Sequence, residues 1–402
     1  MQNYDTKYSS RINFFEPSPI RTIMSKISDL SRKREVISFA AGEPDPSVLP
    51  RKIFGELMKE VFEKVELVGN YTPADGAFEL REEIAKFMKK YDDVKTDPNK
   101  IVVTIGGSQA LDLLGRIFLD AGDIAISESP SYVNTLIDWK QYGARIVGVP
   151  VDDSGMITDE LEKTVKKLKG ERKRVKLVYT IPTGQNPSGV TMIEERRKHL
   201  LEIASQYDLI LVEDTAYNHL LYEGQPPKTL RSMDKEGRVI YSGTFSKILG
   251  TGLRIGWLEG PSEVMDLIKM VKGPTDMCAS TPMQYLVIES LRRGIFEDAK
   301  KKALENYKMK RDIMIKSIEE KLKGLKFTKP IAGMFILVWL KKGMDGYAFA
   351  EELLEKKGVA VVPAAAFYTD DSGKEVIRLN FSMVPPEKIE KGISSIAELL
   401  GF

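Results

Sequence analysis

Short apolar runs alternate with amphipathic segments through the middle of the chain. Each run has the length of a β-strand, and the segments between the runs carry apolar residues at helical spacing. The runs occupy residues 101–105, 124–127, 145–149, 175–180, 209–213, 238–242 and 253–258. Seven strands joined by helices predict an α/β domain with a mainly parallel seven-stranded sheet.

The two ends of the chain show a different pattern, which predicts a second and smaller domain. Helices are predicted from Ile20 and around residues 51–66, 77–91, 262–272, 281–292 and 295–322, and residues 36–41 are strand-like. The C-terminal part combines strands near 332–340 and 376–381 with helices near 346–357 and 387–400, which is an α+β pattern. We therefore expect a large domain at residues 45–295 and a discontinuous α+β domain built from residues 1–44 and 296–402.

The composition of the 402-residue chain excludes several classes of protein. Its 60 Lys and Arg against 58 Asp and Glu leave a net charge of +2, which gives no reason to expect a nucleic-acid partner. The single cysteine, Cys278, cannot form an internal disulfide, and two histidines do not favour a metal site. No apolar run reaches about 18 residues, and residues 1–10 lack the apolar core of a signal peptide. The sequence thus predicts a cytoplasmic enzyme that binds neither a metal, nor nucleic acid, nor a membrane.

The strongest candidate for chemistry is a lysine in a hydroxyl-rich segment after the predicted strand at 238–242. Lys247 follows Thr244 and Ser246, and a glycine-spaced loop leads from it to Arg254. The lysine amine can condense with an aldehyde, while the hydroxyls and the guanidinium can donate to phosphate oxygens. The segment therefore suits a ligand that carries both a carbonyl group and a phosphate. A solvated surface lysine is the alternative, because most Lys and Arg side chains are exposed.

A glycine turn after the predicted strand at 101–105 is a second candidate. Gly107, Ser108 and Gln109 open the helix that follows it, where free backbone amides attract phosphate. A plain tight turn between strand and helix explains the same residues. The spacing does not match the GxGxxG pattern of dinucleotide-binding proteins.

Five more polar side chains stand at or in predicted strands. Tyr132, Asn186 and Asp214 each come after an apolar run. Tyr217 lies three residues beyond Asp214, and Arg378 interrupts an apolar strand. A buried carboxylate or guanidinium needs a partner. In isolation, however, Tyr132 could be a core residue, Asn186 part of a turn and Asp214 a helix cap. Because open α/β sheets bind ligands at the carboxyl ends of their strands, the combination predicts one site.

In this order, the segments resemble the class I aminotransferases, which use pyridoxal 5′-phosphate in the arrangement called fold type I. The resemblance runs over nearly the whole chain and includes residues 39–44 and 71–76. It implies the transfer of an amino group between an amino acid and a 2-oxo acid. Lys247 would hold the cofactor and move the proton of the substrate Cα, and Asp214 would pair with the pyridine nitrogen.

The same resemblance implies roles for the remaining side chains. Tyr132 would stack on the pyridine ring, and Tyr217 and Asn186 would bond its phenolic oxygen. Arg378 would bind the α-carboxylate of the substrate near Asn186 and Gly42. The cofactor phosphate would lie among Gly107, Ser108, Gln109, Thr244, Ser246 and Arg254, although a frequent family form has serine where Gly107 stands.

Within this family the chain most resembles the 2-aminoadipate and kynurenine aminotransferases, through residues 18–23 and 39–44. In that group the position of Arg21 carries the arginine for a distal carboxylate, so 2-aminoadipate and glutamate are expected substrates alongside aromatic and branched-chain amino acids. The expected acceptor is 2-oxoglutarate. In relatives the residue at Tyr71 reaches the phosphate of the neighbouring subunit, which implies a homodimer with shared sites. Residues 363–367 lack the glycines usual in relatives, which leaves the side-chain preference open.

Three other interpretations stay open at this point. A pyridoxal phosphate enzyme could instead catalyse β-elimination or decarboxylation. A transcription regulator with an aminotransferase-like domain would carry a winged DNA-binding module, and the roughly forty residues before Gly42 are too few for one. A nucleotide-binding protein without activity would leave Lys247, Asp214 and Arg378 unexplained together.

Overall fold

The protein is built around one large sheet, and two small sheets complete the fold. The computed structural model describes the backbone of residues 7–15 and 19–402, and the side chains of these residues apart from 10, 19–22 and 371. Within this part of the chain the strands, numbered β1 to β13 in order, are Ile37–Ser38, Ile101–Thr104, Ile124–Ser129, Arg145–Asp152, Gly155–Met156, Val175–Thr180, Ile210–Asp214, Val239–Thr244, Gly256–Glu259, Phe335–Trp339, Val359–Ala360, Val362–Pro363 and Val376–Asn380. The α-helices, α1 to α13 in order, are Pro19–Ser31, Arg51–Lys64, Phe78–Asp92, Gly106–Phe118, Val133–Lys140, Thr158–Gly170, Glu194–Tyr207, Leu230–Met233, Ser262–Asp276, Thr281–Arg292, Ile295–Lys321, Gly346–Lys357 and Pro386–Leu400.

The large sheet has eight strands in the order β2-β9-β8-β7-β6-β3-β4-β5. Strands β8, β7, β6, β3 and β4 run parallel, whereas β9 runs antiparallel to both β2 and β8, and β5 runs antiparallel to β4. Every residue of β2 and β9 is buried, as is all but one residue of β3, β6, β7 and β8. Burial on both faces explains why these strands appear in the sequence as unbroken apolar runs. The predicted α/β architecture with a mainly parallel sheet is confirmed.

All seven predicted strands are present, with two differences at the margins of the sheet. The strand predicted at 253–258 begins only at Gly256, because residues 251–253 form a 3₁₀ turn and Arg254 has a left-handed backbone with φ of 54°. The eighth strand, β5, has two residues, which is too short for an apolar run to indicate it.

Four parallel strands end at the same edge of the large sheet. β3, β6, β7 and β8 end at Ser129, Thr180, Asp214 and Thr244. Pairing between neighbouring strands aligns these ends to within about two residues for β7 and β8, since Asp214 is the partner of Ser242. The loops that follow the strands therefore meet in one place.

The N-terminal segment is joined to the C-terminal part of the chain by strand pairing. β1 pairs in parallel with β11, through Ile37 and Val359, and β10, β13 and β12 form an antiparallel sheet. Beyond β1, the amide of Phe39 donates to the carbonyl of Ala360, and its carbonyl accepts from the amide of Asn380, both at 2.8 Å. The segment lies between β11 and β13, which agrees with a discontinuous small domain. The boundaries near 45 and 295 stay a prediction.

Helices α11 and α13 pack together beside these strands. The 27-residue α11 meets the apolar face of α13, where Ile389 and Ile396 are fully buried. A Cβ at Gly392 would come within 2.5 Å of the ring of Phe39. Glycine at this position therefore lets α13 approach the segment that leads to Gly42.

None of the helices in the described residues is long and apolar enough to cross a membrane. Nor do the described residues bring three or more His, Cys, Asp or Glu side chains together in a group that could hold a metal ion. The one cysteine, Cys278, is a free thiol.

Candidate active site

A cavity of about 300 Å³ opens at the edge of the large sheet where the parallel strands end. It is lined by twelve of the site residues expected from the sequence: Gly42, Gly107, Ser108, Tyr132, Asn186, Asp214, Tyr217, Thr244, Ser246, Lys247, Arg254 and Arg378. They come from loops of the large sheet and from the two segments that strand pairing joins. The fold thus brings together groups that lie far apart in the sequence.

Lys247 places an amine in this cavity. Its Nζ donates to the carbonyl of Gly42 at 2.8 Å and lies 5.6 Å from the ring centroid of Tyr217. Burial lowers the pKa of Lys247 to about 8, while the negative charge of Asp214 acts in the opposite direction. An amine with this pKa is partly neutral near neutral pH, which a nucleophile or a base requires.

Asp214 is a buried carboxylate at the end of β7. It is 7% exposed, and burial raises its pKa. Two donors favour the ionised form: Oη of Tyr179 donates to Oδ2 at 2.8 Å, and the amide of Ala216 donates to Oδ1 at 3.1 Å. Because Asp214 also lines the cavity, a protonated ring nitrogen of a ligand would be a suitable partner.

Arg378 brings a guanidinium into the cavity from β13. It is 3% exposed, and burial lowers its pKa to about 10. Nη2 donates to the carbonyl of Ala40 at 2.7 Å and Nη1 to Oδ1 of Asn186 at 3.1 Å, whereas Nε has no partner among the described residues. The ring centroids of Phe335 and Phe367 lie 4.3 and 5.0 Å from its central carbon. The guanidinium therefore keeps a spare donor in a largely apolar setting.

Asn186 connects this guanidinium to Tyr217. Its Nδ2 donates to Oη of Tyr217 at 3.5 Å, while its Oδ1 accepts from Arg378. Tyr217 is 4% exposed, and burial raises its pKa well above the usual range. Tyr217 therefore stays a neutral phenol, and both side chains can donate to an oxygen atom of a ligand.

The start of α4 and the residues after β8 form an anion-binding corner of the cavity. The residue before α4, Ile105, gives the helix no side-chain cap, so that its first amides are left for a ligand. Nη2 of Arg254 donates to the carbonyl of Ile105 at 3.1 Å, which holds the guanidinium at this corner. Thr244 and Ser246 add hydroxyl groups that bond to each other at 2.8 Å. The corner fits a phosphate.

Glycine stands at two positions of this corner for different physical reasons. Gly106 has a φ of 70°, and a Cβ there would come within 2.6 Å of Nη2 of Arg254. At Gly107 a Cβ would meet nothing closer than the Cβ of Thr244, at 4.0 Å. Gly106 is therefore favoured chiefly by its left-handed backbone and also by the guanidinium beside it, whereas the space in front of Gly107 is available to a ligand.

The other three expected site residues do not line the cavity or have no described side chain. The side chain of Gln109 accepts from the amide of Ile105 at 2.8 Å and donates to Asp276, so that it closes the turn and is not part of the cavity lining. Tyr71 is 78% exposed and lies outside the lining. Arg21 is in α1, and its side chain falls outside the described residues.

Sequence reasoning missed other residues of the site. Glu43, Asn134 and Phe335 line the cavity, and Nδ2 of Asn134 donates to Oη of Tyr132 at 2.8 Å. Tyr179 supports the buried carboxylate of β7 from inside β6, where an aromatic residue among apolar ones resembles any core residue. The position of Asn134, two residues after Tyr132, is the signal that could have indicated a role.

The groups around the cavity fit pyridoxal phosphate. An anion-binding corner, a buried carboxylate, an aromatic face and an amine surround one space. They match the phosphate, the ring nitrogen, the ring and the carbonyl group of that molecule. The guanidinium of Arg378 is left over and suits a carboxylate.

Comparison with known proteins gives a consistent result. The family model of aminotransferases of class I and II matches residues 34–396. The aromatic-amino-acid aminotransferase 1 of Thermococcus litoralis is 42% identical over 99% of this chain and 95% of its own. The crystal structure of an archaeal alanine:glyoxylate aminotransferase is 52% identical, with a TM-score of 0.97 over 99% of both chains. The α-aminoadipate aminotransferase of Thermus thermophilus, solved with N-(5′-phosphopyridoxyl)-L-leucine, is 28% identical, with a TM-score of 0.90 over 99% of this chain and 98% of its own.

The fold, the cavity and these relatives agree with one another. The family model covers most of the chain, and the solved relatives share its fold over nearly their full length. The phosphopyridoxyl group bound by one of them is the chemistry that the cavity fits. The chain belongs to the class I and II aminotransferases, and it is an enzyme of fold type I that uses pyridoxal 5′-phosphate.

Proposed function

We propose that the enzyme moves the amino group of an L-amino acid to a 2-oxo acid such as 2-oxoglutarate. The proposed donors are 2-aminoadipate, glutamate, and aromatic or branched-chain amino acids. The observation that carries this proposal is the spare donor of the buried Arg378. Relatives named for aromatic amino acids, for alanine and for α-aminoadipate support a broad range of donors.

Arg378 supports an α-carboxylate as the feature that all substrates share. No carboxylate of the described residues is among the groups that shift the pKa of Arg378. A buried guanidinium without a negative partner is unfavourable, so that a site of this kind favours an anionic ligand. The planar fork of the guanidinium matches a carboxylate, and Asn186 holds it from one side.

The chain's own residues hold the cofactor and move the proton. When bound, pyridoxal phosphate supplies a carbonyl carbon that takes up the amino group and a ring that withdraws electrons from the Cα of the amino acid when the proton is removed there. Lys247, with its lowered pKa, is the base that takes the proton from the Cα of the amino acid. Asp214 keeps the ring nitrogen protonated by its charge. Tyr217 and Asn186 donate to the phenolic oxygen.

The described lining favours donors with uncharged side chains. Its cations are Lys247, Arg254 and Arg378, whose proposed partners are the cofactor and the α-carboxylate. Glu43 adds a negative charge to the lining. A distal carboxylate, as in 2-aminoadipate or glutamate, would therefore depend on Arg21 in α1.

A homodimer in the cytoplasm completes the proposal. Tyr71 is 78% exposed, and Phe62 and Leu67, which precede it in the chain, are each 58% exposed. An exposed aromatic and apolar surface suits contact with a second copy. In this arrangement Tyr71 reaches the cofactor phosphate of the neighbouring subunit.

Mixing two damaged proteins tests the shared site. Lys247→Ala and Tyr71→Phe subunits should form hybrids with one doubly damaged and one intact site. Activity above that of both parents would support sharing. A fully active monomer at low concentration would contradict it.

A screen of half-reactions tests the proposed function itself. The loaded enzyme is mixed with one L-amino acid at a time, and loss of the visible absorbance of the cofactor reports amino transfer. Because Arg378 binds the group that all donors share, Arg378→Ala should lower kcat/KM for every donor by about a hundredfold or more. Arg378→Lys keeps the positive charge and loses the planar fork, so its kcat/KM should lie between that of the wild type and that of Arg378→Ala. Release of pyruvate and ammonia, or of carbon dioxide, would favour a lyase or a decarboxylase instead.

A further inference from the structure

The loop between β6 and α7 rests on a buried glutamate. Glu128 is 1% exposed and lies near the end of β3. Its Oε1 accepts from Oγ1 of Thr180 at 2.6 Å. Its Oε2 accepts from the amide of Ile181 and from Nε2 of Gln185, both at 3.1 Å. One carboxylate thus joins the end of β3 to the end of β6 and to the loop that carries Asn186.

Gln185 extends this anchor to the turn around Asn186. Its Nε2 also donates to the carbonyl of Pro130 at 2.6 Å, and its Oε1 accepts from the amide and the hydroxyl of Ser188 at 2.9 and 2.6 Å. Its backbone amide donates to the carbonyl of Val190 at 2.9 Å. Gln185 is therefore bonded to residues on the far side of Asn186, so that the turn cannot reorient without breaking these bonds.

A buried arginine holds the same loop at its two ends. Arg197 is fully buried, and its Nη2 donates to the carbonyl of Pro182 at 2.6 Å and to Oγ1 of Thr183 at 2.9 Å. Its Nε donates to the carbonyl of Met192 at 2.9 Å. The ends of the loop are held by the arginine, and the turn between them is held by Glu128.

Stability alone does not account for a glutamate at this position. Burying an ionisable group costs free energy that an apolar residue of the same size does not. Burial raises the pKa of Glu128 to about 7, although its three donors act in the opposite direction. What the carboxylate provides is a set of hydrogen bonds with fixed directions next to Asn186.

We propose that Glu128 is a positioning residue, which acts through Gln185 on Asn186. The amide held in this way is the one that bonds both Tyr217 and Arg378. The proposal rests on the proposed function, in which Arg378 receives the α-carboxylate of the donor. Without the anchor the guanidinium loses its lateral support, so that every donor binds more weakly. The amine that moves the proton is held by a different segment and is less affected.

Two variants of Glu128 separate the anchor from the bulk of the side chain. In Glu128→Gln the oxygen can accept from Ile181 and Gln185 while the new NH₂ group donates to Thr180, so that all three bonds are kept. Glu128→Leu has a similar size and removes the acceptor of all three hydrogen bonds. We expect Glu128→Leu to raise KM for all donors by about tenfold, with kcat within about threefold of the wild type. Glu128→Gln should restore most of the loss, and an unchanged KM in folded Glu128→Leu would overturn the proposal.

Glu259 provides a control. It is a fully buried glutamate of β9, and its oxygens accept from Oγ1 of Thr96 at 2.8 Å and from Nε and Nη2 of Arg231 at 2.7 and 2.9 Å. Glu259→Leu removes a buried carboxylate anchor that bonds no residue of the Asn186 loop, so that KM should stay within about twofold of the wild type. An equal rise in KM would indicate a general effect of core disruption and would count against the proposal.

The route through Asn186 is tested in Asn186→Ala protein. In that background Glu128→Leu should change KM by less than about twofold, because the amide that it positions is gone. An undiminished tenfold rise there would overturn the proposal. If Glu128→Leu does not fold, Gln185→Met, which removes the same link from the other side, is measured against the same criteria.

Hydrogen exchange of the cofactor-loaded protein gives a readout that does not depend on which amino acid is the substrate. The amides of residues 185, 186 and 188–190 should exchange faster in Glu128→Leu than in the wild type, and Glu128→Gln should protect them again. Unchanged exchange would refute the anchor. Faster exchange in an enzyme that transfers no amino group from any donor would support the anchor and refute the proposed function.

Discussion

The two halves of the cavity are built in different ways. The half proposed for the cofactor consists of the start of α4 and of loops at the ends of the parallel strands β3, β6, β7 and β8, whose residues are almost all buried. Asp214 lies at the end of one of these strands and is held by Tyr179 from the next. The half proposed for the substrate contains Gly42 and Arg378, which lie on segments joined by the two-residue strands β1 and β11 and by β13.

This difference separates the reaction from the choice of substrate. The large sheet fixes the groups that act on every donor, since a strand buried on both faces leaves its end little freedom. We propose that the short pairings between the chain ends determine which side chain fits beside Arg378. Changes in the first half should then affect all donors alike. Changes in the second half should distinguish between donors, except at Arg378 itself, which is proposed to bind the α-carboxylate that all donors share.

Removal of the amine should have the largest effect. Lys247→Ala should lower kcat/KM for every donor by about 10⁴-fold or more, because the nucleophile and the base are lost together. Cofactor binding should persist through the phosphate corner, as measured by absorbance after dialysis. Borohydride treatment of the wild type should fix the cofactor on Lys247, as shown by peptide mass mapping.

A buried lysine outside the cavity serves as the control for this change. Lys272 is fully buried and pairs with Asp276 at 2.8 Å. Lys272→Met should reduce stability and keep most of the turnover. A borohydride label on any lysine other than Lys247 would show that the assignment is wrong.

Loss of the buried carboxylate should have the next largest effect. Asp214→Ala should slow proton removal from Cα by about a hundredfold or more for all donors, because the ring nitrogen loses the charge that keeps it protonated. The dissociation constant of a substrate analogue should change far less. Asp214→Glu should be milder. Near-normal half-reaction rates in the alanine variant would place the ring nitrogen elsewhere.

A change in the substrate half should discriminate between donors. Arg21→Ala should lower kcat/KM for 2-aminoadipate and glutamate by about ten- to a hundredfold, through the loss of one charge-assisted hydrogen bond of ~1.5–3 kcal/mol. Phenylalanine and leucine should change little. Lys26→Ala is the control, since Lys26 is in the same helix with a side chain that is 57% exposed and paired with Glu351. Equal losses for acidic and apolar donors would make Arg21 structural and the comparison of the two halves wrong.

The smallest effect is a shift in the titration of one amine. Burial lowers the pKa of Lys247 to about 8 in the absence of the cofactor. Its neutral form should therefore appear as the pH rises through about 8, well below the range near 10.4 of exposed lysines. Acetic anhydride labelling of cofactor-free protein, followed by mass spectrometry, measures this midpoint. A midpoint equal to that of surface lysines would mean that this half of the cavity is open to water.

The sequence predicts the cofactor half well, for a physical reason. Apolar runs that end in a polar residue indicate both a strand and the place where it meets the cavity, as at Asp214 and Asn186. The same reasoning fails where a role depends on contacts between distant segments. Gln109 closes a turn by bonding Asp276, and Tyr179 supports a carboxylate on the neighbouring strand. Neither position differs in the sequence from an ordinary polar or core residue.

The lining beside Arg378 was the least predictable part, because it forms where separate segments of the chain meet. Residues 363–367 show no glycine pattern, and the structure places Phe367 against the guanidinium of Arg378. Phe335 lies closer still, and it belongs to an apolar strand that indicated only a core. The position of the Phe335 ring is set by the pairing of β10 with β13, and Phe367 lies in the 3₁₀ turn at residues 365–367.

The pairing of Phe39 with Ala360 and Asn380 has a consequence for synthesis on the ribosome. Phe39 emerges before any strand of the large sheet, yet its hydrogen-bonding partners are translated only after all of those strands. All strands of the large sheet have left the ribosome long before that point, and domains generally fold as units during synthesis. A nascent chain that stops before β13 can complete the sheet while its first strand waits unpaired and Arg378 does not yet exist. The guanidinium that we propose for substrate recognition is thus made only after the whole large sheet.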